Sequence, residues 1–250
     1  MERNFNENQL EGRNAVLEVL KSGKDIEKII VVKGNVEGTV RRIVGMAKER
    51  GVVVQEVVRA KLDEMSQTKN HQGVIAIVPE HEYATVEDIL ARAAEKGEKP
   101  FIIILDNITD PHNLGAVIRT AECAGAHGVI IPKRRSVGLT AVVGKTSAGA
   151  VEYMPVARVT NIANTIDSLK KQGLWVACAD MGGDEYFEAS LDGAIALVIG
   201  SEGEGVSRLV KEKCDFTVSV PMYGKISSLN ASVAAGLLMY EVVRQRNYRG

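Results

Sequence analysis

From Phe101 onward the chain alternates short apolar runs with segments of helical spacing, and that alternation restricts it to a parallel sheet wrapped by helices. The runs are 101–105 (FIIIL), 128–131 (GVII), 174–179 (LWVACA), 194–199 (AIALVI) and 216–220 (FTVSV). Helices are expected between and after them, at about 114–125, 140–149, 162–172, 206–213 and 230–246. Apolar residues make up 45% of the chain, mostly Val, Ile, Leu and Ala, while aromatics are only 4%. That mixture suits strands buried on both faces by helices. The expected fold class is α/β.

The preceding residues read as a smaller α/β unit. Residues 12–21 (GRNAVLEVLK) place Ala15, Val16, Val19 and Leu20 on one helical stripe. Strands are expected at 26–33, 52–58 and 71–79, the last stopped by Pro79, with a helix at 39–49 carrying Val40, Ile43, Val44 and Ala47. A charged stretch follows, with one amphipathic helix through Val86, Ile89, Leu90 and Ala93 before a Gly/Pro break. The expected division is therefore 1–79 as one domain, 80–99 as a linker containing a helix, and 100–250 as the second domain.

Composition narrows the function classes. The formal net charge is −1, so a nucleic-acid partner would have to meet a local basic face. Cys123, Cys178 and Cys214 lie far apart, and His71, His81, His112 and His127 show no ligand spacing. That pattern points away from a metal site or disulfide framework and toward a reduced cytoplasm. The polar N-terminus and the lack of a long apolar run point away from a membrane. Trp175 and the cysteines are expected in the core.

Three strand-to-helix loops carry the chemically interesting residues. In the first, Asp110-Pro111 forces a non-helical turn, so Asn113 is a candidate cap for the next helix, with Arg119 inside it. Asn113 and Arg119 are six residues apart, on different faces of a continuous helix. They converge only if Asn113 is in the loop or one of them comes from a second subunit. The second loop, 200–205 (GSEGEG), invites comparison with a dinucleotide fingerprint, but its glycines at 200, 203 and 205 have the wrong spacing. Glu202 and Glu204 would repel a pyrophosphate at a helix N-terminus, yet tolerate a ligand carrying an ammonium and a sulfonium. A glycine-rich turn whose acids favour the next helix dipole is the plainer reading. The third loop, 220–230 (VPMYGKISSLN), precedes the small residues Ala231, Ser232, Ala234, Ala235 and Gly236, which allow close backbone approach. On pattern alone Ser228 is a helix-cap candidate.

In this order, NLGAVIRTA (113–121), IGSEGEG (199–205) and VPM followed by SSLNASVAAG (220–236) resemble the SpoU/TrmH group of the SPOUT methyltransferases. GRNAVLEVLK (12–21), HQGVIA (71–76) and KTSAGAVEYMPVARVTN (145–161) resemble the subgroup that modifies a guanosine of large-subunit ribosomal RNA. The resemblance implies a small N-terminal RNA-binding domain and a C-terminal parallel-sheet domain tied in a trefoil knot. It also implies S-adenosylmethionine as cofactor, a homodimer with a shared active site, and 23S ribosomal RNA or a ribosomal precursor as partner. By position, Gly200, Val220 and Leu229 would contact the adenosine part of the cofactor, with Met222 and Glu202 close by. Arg119 takes the central catalytic place, and Asn113, Glu202, Ser228 and Asn230 match the other polar positions.

A ribose 2′-OH is a poor nucleophile and must lose its proton as it attacks a methyl group. Guanidinium stays protonated, so Arg119 is better cast as binding the adjacent phosphate and stabilising the developing alkoxide than as a base. Arg13, Asn14, Lys133, Arg134, Arg135 and Lys145 are candidate RNA contacts, although a basic run such as 133–135 is equally a solvated turn. The alternatives are a transfer-RNA methyltransferase of the same family, a non-catalytic RNA-binding factor, and a Rossmann-type nucleotide enzyme.

Overall fold

The computed structural model describes residues 8–34, 38–79 and 81–248. The chain divides into two compact units after Glu82. The first comprises β1 (Gln9–Glu11), α1 (Arg13–Lys21), β2 (Lys28–Val32), α2 (Gly38–Glu49), β3 (Val53–Val57), α3 (Arg59–Met65) and β4 (Val74–Ile77). Its sheet runs in the order β1-β4-β2-β3, with β4 antiparallel to both neighbours and β2 parallel to β3. Most of the expected stripes is buried: Val16, Val19 and Leu20 of α1 and Val40, Ile43 and Ala47 of α2 share a core with Ile29, Val74 and Ala76, whereas Ala15 is exposed and Leu17 is buried instead. Burying an aliphatic side chain of this size contributes about 1.5–3 kcal/mol. The last strand starts at Val74 rather than at residue 71, because Gln72 (φ 52°) and Gly73 (φ 85°) adopt left-handed turn geometry. The sequence reading did not foresee β1 and α3, both short.

The second unit comprises α4 (Val86–Glu95), β5 (Phe101–Leu105), α5 (Pro111–Cys123), β6 (Gly128–Pro132), α6 (Ala141–Thr146), β7 (Val156–Val159), α7 (Ile162–Lys171), β8 (Trp175–Glu185), β9 (Ile195–Ile199), α8 (Arg208–Lys213), β10 (Phe216–Ser219) and α9 (Ala231–Tyr248). All six strands pair in parallel, in the order β10-β8-β9-β5-β6-β7. Along β5, Phe101, Ile103 and Leu105 enter one core and Ile102 and Ile104 the other, so helices cover both faces, as the apolar runs implied. Ile89 of α4 seals one face, lying where a side chain on Gly128 would otherwise sit. The chain leaves β5 toward β6 and β7, then returns to β8 and β9 on the other side. That reversal between β5 and β9 is the topological switch point where open parallel sheets bind ligands at their carboxyl ends.

Several expectations are corrected. Helix α5 begins at Pro111, with Asp110 as its cap: the Asp110 side chain accepts from His112 N at 2.9 Å. Proline is favoured at this first position, where its missing N–H costs no hydrogen bond, so Asn113 lies within the helix and not in the loop. Helix α6 stops at Thr146, and a 3-10 turn at Ala150–Glu152 follows Gly149 (φ 84°). Strand β7 was hidden in the long stretch after it. Trp175 is 61% exposed and Cys123 is exposed, while Cys178 is buried and Cys214 half-buried.

Candidate active site and cofactor cavity

The loop after β9 closes on itself. Ser201 and Gly205 exchange backbone hydrogen bonds of 3.2 and 2.9 Å, and Gly203 (φ 91°) and Gly205 (φ 68°) take conformations that suit glycine. A Cβ on Gly200 would stand 2.1 Å from Gly205 C and 2.2 Å from Val206 N, so only glycine fits where the strand enters the loop. Buried Asp106, at the end of β5, accepts from Ser207 N at 2.7 Å and fastens the far side of the loop.

Three loops meet at Glu202. Its Oε1 accepts from Asn113 Nδ2 at 2.9 Å, from Asn230 Nδ2 at 2.5 Å and from Ala231 N at 3.3 Å. Asn230 Nδ2 also donates to Asn113 Oδ1 at 2.9 Å, which closes a three-residue ring. Asn230 Oδ1 meanwhile caps α9, accepting from Ser232 N at 3.0 Å and Val233 N at 3.3 Å. The cap of this helix is thus Asn230 rather than Ser228. The positive end of α9 and two amide N–H groups hold the carboxylate in place. Glu202 Oε2 has no hydrogen-bond partner among the described residues, and Glu202 lines the adjoining cavity.

That cavity encloses about 450 Å³ between the ends of β8, β9 and β10 and the start of α9. This lies within the usual range for small-molecule sites. Gly200, Val220, Met222 and Leu229 all line it, as do Glu202 and Ser228. Ile199, Val218 and Leu238 give it apolar walls for a flat base, and Asp180, Glu202 and Glu204 make its polar side acidic. Sequence reasoning missed Ala179, Asp180 and Met181. The available signal was position, since they end a strand at the carboxyl edge of a parallel sheet. Asp180 pairs with Lys211 Nζ at 2.6 Å at the cavity wall.

Arg119 is not brought to this cluster. It is exposed on α5, and its side chain has no hydrogen bond or ion pair among the described residues. The neighbouring residue, Thr120, borders a shallow apolar depression with Val233, Gly236, Leu237 and Tyr240 of α9. Val233, Leu237 and Tyr240 are 51%, 39% and 51% exposed. Of the basic candidates, Arg134, Arg135 and Lys145 are exposed, Lys133 and Arg13 half-buried.

Residues 100–240 match the model of the SpoU rRNA methylase family, and residues 9–84 match that of the RNA 2′-O ribose methyltransferase substrate-binding domain. A Bacillus subtilis protein, whose name assigns it to the TrmH family of tRNA/rRNA methyltransferases, is 53% identical over 94% of this chain and 95% of its own. The AdoMet-bound rRNA methyltransferase of Sinorhizobium meliloti is similar in structure (TM-score 0.60, 25% identity, 96% of this chain and 87% of its own). The TrmH/SpoU tRNA modifying enzyme of A. aeolicus also resembles it (TM-score 0.55, 28% identity), over 61% of this chain and 78% of its own. With its cofactor-sized cavity, its Asn113–Glu202–Asn230 ring and these matches over both units, the chain belongs to the SpoU/TrmH family of RNA methyltransferases.

Proposed function

We propose that the chain transfers a methyl group from S-adenosylmethionine to the ribose 2′-oxygen of a guanosine in 23S ribosomal RNA. The observation that carries this reading is the convergence of Asn113, Glu202 and Asn230 at the rim of a cavity lined by Gly200, Val220, Met222 and Leu229. The cavity fits the cofactor: its apolar walls suit an adenine, and its acidic residues suit an ammonium and a sulfonium, as the solvation cost of unpaired cations requires. The bound cofactor supplies the methyl group. The apolar residues orient the base, and Glu202 Oε2 offers an acceptor at the rim for an O–H or N–H of the bound ligands.

Asn113 lies in the first turn of α5 and Arg119 on another face of the same helix, so one chain does not bring the two together. In this reading Arg119 acts in a homodimer, each copy's arginine serving the other's cluster. The exposed Val233, Leu237 and Tyr240, at i, i+4 and i+7 beside Thr120, give α9 and α5 an apolar face that a second copy would cover. Arg119 would then bind the phosphate next to the target ribose and stabilise the developing alkoxide, while the 2′-OH proton passes to water and the methyl group moves from the sulfonium sulfur to the ribose oxygen. Residues 1–79 serve as the RNA-binding domain, 80–99 as the connecting segment and 100–250 as the transfer domain, in the cytoplasm. The knot implied by the family likeness belongs to the same reading, supported by α9 returning to pack on α5 after β10 at the sheet edge.

Ribosomal rather than transfer RNA is favoured because the likeness to the S. meliloti rRNA enzyme spans both units, whereas that to the A. aeolicus tRNA enzyme covers 61% of the chain. The test is transfer of labelled methyl groups from S-adenosylmethionine to unmodified 23S and transfer RNA in parallel. Incorporation into 23S RNA alone is expected; incorporation into transfer RNA alone would replace the ribosomal assignment.

A further inference from the structure

In the first unit a single carboxylate is committed to holding a loop. Glu11, at the end of β1, accepts through Oε1 from Gln67 N (2.5 Å) and Gln9 Nε2 (2.7 Å). Through Oε2 it accepts from Ser66 Oγ (2.7 Å), Thr68 N (3.2 Å) and Thr68 Oγ1. Gln9 Nε2 also reaches Met65 O at 2.9 Å, at the end of α3. Burial alone would raise the Glu11 pKa, but the donors on Thr68, Gln67, Ser66 and Gln9 outweigh it and hold the group at about 2. The carboxylate is therefore ionised at neutral pH, the form that binds these donors most strongly.

Beyond this brace the backbone is unusual. Lys69 (φ 58°) and Gln72 (φ 52°) both occupy the left-handed region, which side-chain-bearing residues rarely adopt and which persists only where surroundings fix it. The surroundings do fix it. His71 is buried, its Nε2 2.7 Å from Asp63 Oδ1 and its Nδ1 accepting from Gly73 N at 2.9 Å. Gln72 lies across the start of α1: its Oε1 accepts from Arg13 N at 3.2 Å and its carbonyl from Arg13 Nε at 3.1 Å. The stretches 12–14 and 68–72, far apart in sequence, thereby form one surface with Asn14, Thr68, Lys69, Asn70 and Gln72 exposed. The surface is rich in hydrogen-bond donors and acceptors, carries cations at Lys69 and Arg13, and presents no large apolar side chain.

A protein partner would ordinarily require an apolar centre at such a patch. Unpaired nucleotides require what is there: fixed polar groups for base edges and cations for phosphates. We propose that this Glu11-braced surface reads unpaired nucleotides of the RNA substrate. Asn70 and Asn14 meet base edges and Lys69 meets a phosphate, while Glu11 acts as a positioning residue that sets the loop. The inference deepens the RNA methyltransferase reading by naming the recognition surface, which is remote in sequence from the transfer loops.

The test uses the full chain with Asn70→Ala, Lys69→Ala and Glu11→Gln. It measures equilibrium binding to an unmodified 23S RNA transcript, KM and kcat for methyl transfer, and the thermal transition of each protein. Asn70→Ala and Lys69→Ala are expected to keep the wild-type transition, Glu11→Gln to melt somewhat lower because it loses the charged brace, and all three to keep the wild-type kcat. Loss of one good base contact should weaken RNA binding and raise KM about tenfold in Asn70→Ala, with Glu11→Gln following it. Variants that bind as wild type does, while transfer proceeds, would overturn the surface and leave the function standing. Binding weakened in the variants of a chain that transfers no methyl group would overturn the function and support the surface. No RNA binding by the wild type would overturn both.

Discussion

Replacing Asn113 with alanine removes two hydrogen bonds from the ring around Glu202: the one it donates to Glu202 Oε1 and the one it accepts from Asn230, each 2.9 Å. A bond to a charged group contributes about 1.5–3 kcal/mol and a neutral one about 0.5–1.5 kcal/mol, so both together bound the effect at about 2–4.5 kcal/mol. The lower end applies, because Asn230 Nδ2 and Ala231 N still hold the carboxylate. It does not fall to zero, because Asn113 is only 9% exposed and water cannot freely take its place. About 2 kcal/mol in a domain of this size lowers Tm by about 4–8 °C. The assay is thermal unfolding of Asn113→Ala, Glu202→Gln and the double variant, with methyl transfer followed in parallel. A coupling energy of about 1 kcal/mol is expected between the two sites, since they share one network. An unchanged Tm for Asn113→Ala, or strict additivity in the double variant, would refute the claim that these residues act as a unit.

Other outcomes follow from the same geometry. Arg119→Ala should leave cofactor affinity unchanged and slow transfer about 10²–10³-fold, measured by calorimetry and single-turnover kinetics. Gly200→Ala should abolish cofactor binding in an equilibrium titration, because the added carbon meets backbone 2.1 Å away that no rotamer change can clear. Leu237→Glu should shift the chain from dimer to monomer in sedimentation and remove transfer, by burying a charge in the apolar face of α9. Glu11 has a folded pKa lowered to about 2 from 4.5, so its stabilisation is complete above about 4.5 and is lost as pH falls toward 2. Wild type should therefore exceed Glu11→Gln in stability at neutral pH, and the difference should vanish in acid unfolding measured near pH 2.

The second unit was legible because burial on both faces leaves unbroken apolar runs: 101–105, 128–131 and 194–199 lie within one residue of the observed strands. Strand β8 was read to its apolar end at Ala179, but its ladder with β10 continues past a register shift to Glu185, through residues whose polarity gives no sign of pairing. The polar ring was legible as three loops and not as contacts. Asn113, Glu202 and Asn230 are up to 117 residues apart, and only the parallel order of the sheet brings their loops to one edge. Asp180 escaped notice because a single aspartate after an apolar run is chemically unremarkable until the cavity is seen. Arg119 is central by likeness alone, and α5 places it on another face from Asn113, which motivates the proposal that it serves a second copy. The Glu11 brace was illegible: its partners at 66–68 lie beyond three intervening helices, and no spacing rule links residue 11 to them.

The most direct measurement is the identity of the methylated nucleoside, obtained by digesting 23S RNA treated with the chain and S-adenosylmethionine and resolving the products by mass spectrometry. The expected product is 2′-O-methylguanosine at a single position, formed about 10²–10³-fold more slowly by Arg119→Ala while the cofactor still binds. A base-methylated nucleoside, or no methylated product from an RNA that binds, would contradict it.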